Sequence, residues 1–418
     1  MYTKKFCCKL TKRLSVFLIF SVLLFVESVQ PVFASIYRIS PKDVTAYSLT
    51  TTIAGLKPGD TLYFNDGTYP GGAQFKVSGT ETAPIILEGS ERVLFNGKRI
   101  AKNVPVFQTN GQSYLQFKNL SFHGVRAGVQ IDGGSHHILI DGLRADHCQF
   151  AVKMKDASFV TVQNSFADNS RNAFRGEGDT HDVEFLHVKA FNSKDIYKGY
   201  DLKFLNGDGF IFEKKTYNLR FENIISANHW DAGLDIKGSH VQITHVESYG
   251  CKNGVKLWGE DITVRDALLH EAKSQERPDG SKVDGAGIHL CAGSAVLLQS
   301  TLVDNEQADI KINAGAKLST ENCVVARKLP KGNLWHLEKP SKKDLEKNPS
   351  KLPGELIQKN VIAFQPNAEP LSLPPTVVWV DPQFENWEEG NYCLRREGPA
   401  YQNGIQVLGA ICRKPVKD

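Results

Sequence analysis

The chain has 418 residues, 41% of them hydrophobic, and carries a formal net charge of +4. That balance suits a folded protein, and it argues against nucleic acid as a partner, because no long basic run or aromatic-interleaved patch accompanies so small a positive excess. The length admits one elongated domain or two compact ones.

At the amino terminus Lys4, Lys5, Lys12 and Arg13 precede an apolar run from Leu14 to about Val26, and Val32-Phe33-Ala34 then offers small residues for cleavage. This layout predicts a secretory signal peptide over 1–34, its apolar run being shorter than the ~20 residues of a membrane span; an uncleaved anchor is the alternative. Secretion to an extracellular or periplasmic space follows, with no membrane attachment once the signal is removed. Cys7 and Cys8 would leave with it. Cys148, Cys251, Cys291, Cys323, Cys393 and Cys412 remain, scattered rather than at zinc-ligand spacing. A Cys393–Cys412 disulfide is expected in the tail, with disulfides and buried free thiols equal expectations for the others.

Residues 35–113 are expected to form a cap and the first coils. Ser48 to Leu56 has the pattern of a short amphipathic capping helix, followed by a Pro58-Gly59-Asp60 turn and a strand from Thr61 to Asn65. From 114 to 327 the chain repeats. Phe117-Lys118-Asn119-Leu120 is echoed by units beginning at Ile140, Val162, Phe185, Phe221, Ile243, Val264 and Leu298, at spacings of 23, 22, 23, 36, 22, 21 and 34 residues. The two long gaps are insertions. A period near 22 suits three short strands and their turns, period-two alternation runs through each unit (Val129 and Ile131, Val255 and Leu257), and no leucine-rich consensus is present. The predicted fold is therefore all-β: a right-handed parallel β-helix, one solenoid domain whose coils bury their apolar side chains against one another. Residues 328–418 hold a Lys-, Pro- and Glu-rich excursion to about Pro375, a final strand pair near Val377 to Val380, and the tail. A monomer is expected.

The repeat also predicts which side chains share a column. Each coil contains a small, an apolar, an outward and another apolar residue, and the outward position is successively Gln130, Lys153, Arg175, Ile211, Asp235, Lys256, His289 and Lys311. Neighbours would stand about 4.7–4.9 Å apart. A solvated polar face is the ordinary explanation for any one of these cations, but five potential cations around one aspartate would repel one another unless an anion bound them. Acidic residues converge on the same place. Aligning Gly209 of Asn206-Gly207-Asp208-Gly209-Phe210 with Gly233 of His229-Trp230-Asp231-Ala232-Gly233-Leu234-Asp235 puts Asp208 one coil from Asp231 and Asp235. Three carboxylates without an internal counter-charge invite a hard cation, calcium in an extracellular setting; Asx turns beside glycines are the structural alternative.

Between Asn206 and Val264 these elements resemble the pectate lyases of polysaccharide lyase family nine, with looser similarity over the other coils. In that family Asn-Gly-Asp-Gly-Phe-like and Asp-Asp-Gly-aromatic-Asp elements supply calcium-binding aspartates, which the resemblance maps onto Asp208, Asp231 and Asp235. An Asn-Gly-Phe-Lys-Leu-Gly element carries the family's catalytic lysine and looks like Asn253-Gly254-Val255-Lys256-Leu257-Trp258-Gly259, which implies Lys256 as base. The second aspartate of the paired element is Ala232 here, so calcium is expected to bind more weakly. Trp258, where the family has a small residue, could stack on a sugar or cover the groove.

The resemblance implies β-elimination on an acidic, pectate-like uronate polymer, with Lys153, Arg175, His289 and Lys311 as further substrate-binding residues. Lysine can act as a base only when neutral, so something must counter the pull of Asp235. The alternatives are a glycoside hydrolase on this scaffold, although the polygalacturonase elements Gly-His-Gly and Arg-Ile-Lys find no match, an alginate-type lyase or epimerase, and a noncatalytic carbohydrate-binding or adhesion β-helix.

Overall fold

The computed structural model describes residues 34–99, 103–194, 207–276, 280–329, 331–366, 368 and 373–399. Residues 1–33 of the expected signal peptide, Asn206 and Cys412 lie outside these. Among the described residues no helix is long and apolar enough to cross a membrane.

The chain winds as a single right-handed parallel β-helix, each coil laying one strand on each of three faces. The face that matters below is an 11-stranded parallel sheet. Its strands are β1 (Ala73–Gln74), β2 (Phe107–Gln108), β3 (Ala127–Ile131), β4 (Phe150–Lys155), β5 (Phe174–Glu177), β6 (Phe210–Phe212), β7 (Ala232–Ile236), β8 (Asn253–Leu257), β9 (Ala286–Leu290), β10 (Ala308–Ile312) and β11 (Asn333–Leu337), stacked in chain order. The other two faces run together around a bend so tight that several strands continue through it, as in Tyr217–Ala227 and Ser239–Tyr249.

From Leu115 onward that bend is made by one residue. Asn119, Asn164, His187, Asn223, His245, Asp266 and Gln299 take positive φ between 48° and 56°, and Gly142 takes 71°. Each is the third residue of its unit, once the last unit is begun at Leu297, which the register sets opposite Val264, rather than at Leu298. A single left-handed residue turns the strand without breaking the ladder, and asparagine tolerates that conformation better than most side chains.

Alternation decides what lies inside. Val129, Ile131, Val152, Met154, Phe174, Phe210, Phe212, Val255 and Leu257 are fully buried. Phe174 stacks on Phe210 at 5.0 Å, Phe185 stacks on Phe221 at 5.3 Å, and the two stacks meet edge to face, so the rings of neighbouring coils form a continuous spine. Cys148, Cys251, Cys291 and Cys323 are buried free thiols, whereas Cys393 is disulfide-bonded.

The capping helix α1 (Ala46–Ala54) starts two residues before the expected position, because Thr45 and Ser48 exchange side-chain-to-backbone hydrogen bonds in a capping box. Its Leu49 and Ile53 cover the open end of the core. The segment from Lys328 to Pro375 is not one long excursion. Its apolar alternation continues the solenoid: β11 pairs with β10, Glu355–Phe364 pairs with Lys317–Ala326, and the stretch between them, with the short helix α2 (Lys342–Lys347), leaves the coil. The strand pair near Val377 also differs from expectation. Val377–Trp379 adds a parallel strand to the solenoid, and the antiparallel pair is Phe384–Asn386 with Asn391–Leu394, whose Phe384, Tyr392 and Leu394 pack on the flank around Leu268 and Val303.

The two long gaps in the repeat fall at the same corner. Each lies between a strand of the third face and the following strand of the β1–β11 sheet, from Phe191 to Phe210 and from His270 to Ala286, the second containing a small hairpin of Gln275–Glu276 and Lys282–Val283. Truncating the aromatic spine tests the energetics of this core. Phe210→Ala should destabilise the protein by about 3–5 kcal/mol, measurable as a lower midpoint in urea denaturation, whereas Phe159→Ala on the surface should lower it by far less.

Candidate functional site

The register of the β1–β11 sheet places the outward residues in one unbroken column. Gln130 is opposite Lys153, Lys153 opposite Arg175, Arg175 opposite Ile211, Ile211 opposite Asp235, Asp235 opposite Lys256, Lys256 opposite His289 and His289 opposite Lys311. The close approach of coils at the small position of the repeat depends on glycine: a Cβ on Gly233 would lie 2.2 Å from Ser248 Oγ.

At the middle of the column the acidic residues come together. Asp208 precedes β6, Asp231 precedes β7 and Asp235 lies within it, and carboxylate oxygens of the three lie within 4.8 Å of one another. They do not face open solvent as the alignment led one to expect; they are 2%, 6% and 3% exposed. Nor are they without internal counter-charge. Lys256 Nζ stands 3.1 Å from Asp231 Oδ2 and 3.2 Å from Asp235 Oδ2, the Lys252 ammonium pairs with the other oxygen of Asp231, and Lys237 Nζ lies 3.8 Å from Asp235. Trp258 donates its indole N–H to Asp235 Oδ1 at 2.9 Å. Asp208 is held from below: Ala232 N–H donates to its Oδ1 at 3.0 Å, and its own N–H donates to Asn172 Oδ1. The position where the aspartate pair is interrupted thus serves Asp208 through its backbone.

The electrostatics divide the cluster. Burial raises the Asp208 pKa well above the usual carboxylate range, and the charges of Asp231 and Asp235 add to this. Burial also opposes ionisation of Asp231, but the Lys256 and Lys252 ammoniums outweigh it and hold that carboxyl below its ordinary value. Lys256 is pushed up: burial works against its charge, yet Asp231, then Asp235 and Asp208, more than compensate. The lysine rests here as a firmly held ammonium.

The rest of the column corrects the picture of self-repelling cations. Lys153 Nζ pairs with Glu177 at 2.9 Å, Arg175 pairs with Glu177 at 3.0 Å and Glu213 at 3.3 Å, Lys237 pairs with Glu213 at 2.9 Å, and Lys311 pairs with Glu338 at 3.3 Å. His289 is no cation at neutral pH, because burial together with Lys311, Lys256 and Lys252 pushes its pKa down to about 4 while it hydrogen-bonds Asn313. Sequence reasoning missed these partners. Glu177 at the end of β5, and Glu213 and Lys237 one residue past β6 and β7, stand two residues after Arg175, Ile211 and Asp235, so period two alone would have found them. Lys252 had a weaker signal, lying four residues before Lys256 outside the strand. Beside the cluster, Lys214, Lys215, Lys237, Glu213 and Trp258 line an open cleft of about 610 Å³.

The donor set can be tested for a metal. Three carboxylates converge, one of them short of positive charge, and the buried Asn253 Oδ1 beside Asp231 has no donor among the described residues. All are oxygen donors of the kind a hard divalent cation takes, so the residues fit calcium provided the Lys256 ammonium yields its place on Asp231 and Asp235.

Comparison with known proteins agrees with the coil architecture. A family model described as a right handed beta helix region matches residues 106–328. A rhamnogalacturonan lyase structure has a TM-score of 0.53 at 13% identity, covering 90% of this chain and 99% of that one. The A-module of the Azotobacter vinelandii mannuronan C-5 epimerase AlgE4 has a TM-score of 0.51 at 13% identity, covering 80% and 94%. An alginate lyase from Paenibacillus sp. str. FPU-7 has a TM-score of 0.50 at 15% identity, covering 72% and 98%. At such identities the likeness is one of fold. No curated protein matches the sequence.

Because folding raises the Asp208 pKa, the native state binds a proton that the unfolded chain releases, so this group lowers stability as pH rises above its unfolded value and the loss is recovered in acid. Asp208→Asn should therefore raise the Tm of the chelator-treated protein by roughly 1–3 °C at neutral pH and by less in mild acid. A rise in the Tm of the parent in millimolar calcium, absent in Asp208→Asn, is the result that would place calcium at this site.

Proposed function

The chain belongs to the right-handed β-helix family, and from that premise we propose that it is a secreted polysaccharide lyase cleaving an acidic, pectate-like uronate polymer by calcium-assisted β-elimination, with Lys256 as base. The observation that carries this reading is Lys256 Nζ at 3.1 and 3.2 Å from two carboxylates of a buried triad, in a column that borders a lysine-lined cleft.

Asp208, Asp231 and Asp235, with Asn253 Oδ1, would hold calcium, which when bound neutralises the triad and polarises a uronate carboxylate. The chain's own residues do the remainder. Lys214, Lys215 and Lys237 attract and align a polyanion along the cleft, and Trp258 shields Asp235 from water. Relieved of its two carboxylate partners, Lys256 can give up its own proton and take the C5 proton of the uronate at Nζ. The C5–H electron pair becomes the C4–C5 double bond, and the C4–O glycosidic bond breaks, its oxygen leaving with a proton. No water is consumed. Lys153, Arg175 and Lys311 are placed to meet neighbouring uronates by exchanging their glutamate partners for substrate carboxylates.

The triad itself argues against hydrolysis. Two of its members are tied to lysines, which leaves no free acid and base pair for a glycosidase. The firm pairing of Lys256 favours one other reading, a noncatalytic carbohydrate-binding β-helix in which that ammonium is purely structural.

The deciding experiment is a panel of uronans incubated with and without calcium, followed by absorbance at roughly 235 nm, where a conjugated unsaturated uronate absorbs. The parent should generate that signal with calcium, increasingly toward alkaline pH because Lys256 must lose a proton, and should lose it in chelator. Lys256→Ala should retain uronan binding and lose turnover by at least about a hundredfold. Full activity in chelator at neutral pH would refute the metal-assisted scheme. Binding by parent and variant alike, with turnover by neither on any uronan, would establish the noncatalytic reading.

A further inference from the structure

A different face of the solenoid carries a feature that the lyase reading does not use. Tyr114, His137 and Phe159 form a ladder on three successive coils, ring centroids 4.7 and 4.8 Å apart and planes within 20° of parallel. All three take positive φ, 58°, 54° and 52°. Every other non-glycine residue with positive φ among those described is Asn, Asp, His, Glu or Gln. Tyr and Phe are thus the two bulky aromatics placed in a conformation that disfavours them. Packing does not repay that strain at Phe159, which remains 50% exposed.

The ladder opens onto a trough of about 750 Å³. Beyond Phe159 the same edge is continued by shorter side chains, Asp182, Asn218, His240 and Asp261, and the floor by an outward column in strict register, including Thr161, Glu184, Arg220 and Gln242. From Tyr114 to Asp261 the trough spans six coil steps, about 29 Å. An extended groove with an aromatic platform at one end and carboxylate, amide and hydroxyl groups along it is built for a sugar chain: the rings take the apolar C–H face of a pyranose and the polar groups take its hydroxyls.

Charge specifies the kind of sugar. Glu81, Asp182, Glu184 and Asp261 line the trough against the single arginine Arg220, which is already paired with Glu184 at 3.2 Å and with Glu222. A polyanion would be repelled, whereas carboxylates accept readily from neutral hydroxyls. We propose that this flank is a second, noncatalytic glycan site that binds a neutral polysaccharide chain, with Phe159 as its principal platform. It stands on observations independent of the acidic triad.

Phe159→Asn is the informative variant, because asparagine is the common occupant of such left-handed positions and should keep or raise the Tm while removing the platform. Titration calorimetry with cellohexaose, xylohexaose and mannohexaose should show the parent binding at least one of them, and F159N weakening that binding about tenfold or more. Cleavage of a soluble uronan, if present in the parent, should be unchanged in F159N, and the neutral hexasaccharide should still bind Lys256→Ala. Three results would overturn the proposal: no neutral hexasaccharide binding to the parent, equal binding by F159N, or a fall in Tm for F159N that assigns the ring to packing. Hexagalacturonate competing at this site would refute its neutral specificity.

Discussion

Parallel backbone hydrogen bonding from coil to coil, kept in step along all eleven strands of one sheet, is the constraint from which the rest of this protein follows. It fixes side chains a strand spacing apart whether or not their charges agree. A column holding Lys153, Arg175, Asp235, Lys256 and Lys311 would be untenable alone, and the chain resolves it laterally rather than along the axis. Glu177, Glu213 and Glu338 stand two residues farther along their own or neighbouring strands and meet the cations from the side. The exposed surface of the sheet is thus a two-column ionic lattice, in which moving one charge alters the balance of several others.

The acidic triad is the place where that lattice goes below the surface. Desolvated carboxylates would not remain ionised together unaided, and two lysines from the next coil supply what solvent cannot. The compensation is uneven. Asp231 is ionised under the influence of two ammoniums, while Asp208 is left with a backbone N–H and a strong tendency to hold a proton. Of the three carboxyls, Asp208 is the one with the least compensating charge.

Much of this was legible in the sequence, for reasons that can be located. The 22-residue return of the motif around Phe117, Val162 and Phe221 exposes the solenoid because a coil must bring the same apolar pair back to the same wall. The strand alternation around Val255-Lys256-Leu257 then fixes the column, since period two leaves no choice of face. Depth was not legible. Alignment shows that Asp208 and Asp231 share a corner, but not that they are buried there or that Lys252 of the next coil pairs with Asp231. The glutamate partners were missed because only one outward position per strand was followed. The stretch from Lys328 onward was misread because its charged composition masks the alternation of Asn333–Leu337 and Glu355–Phe364, which continue the coil.

The two long gaps in the repeat add a point about how such a protein can change. From Leu115 onward one corner of each coil is turned by a single left-handed residue, whereas the earlier coil of Ile85–Glu88 and Val93–Asn96 spends four residues there. Both insertions lie at another corner, immediately before strands β6 and β9, and so flank the coils that carry Asp235 and Lys256. Lengthening there leaves the ladder in phase. Chain can thus be added along one border of the β1–β11 sheet while the column beneath keeps its strand spacing.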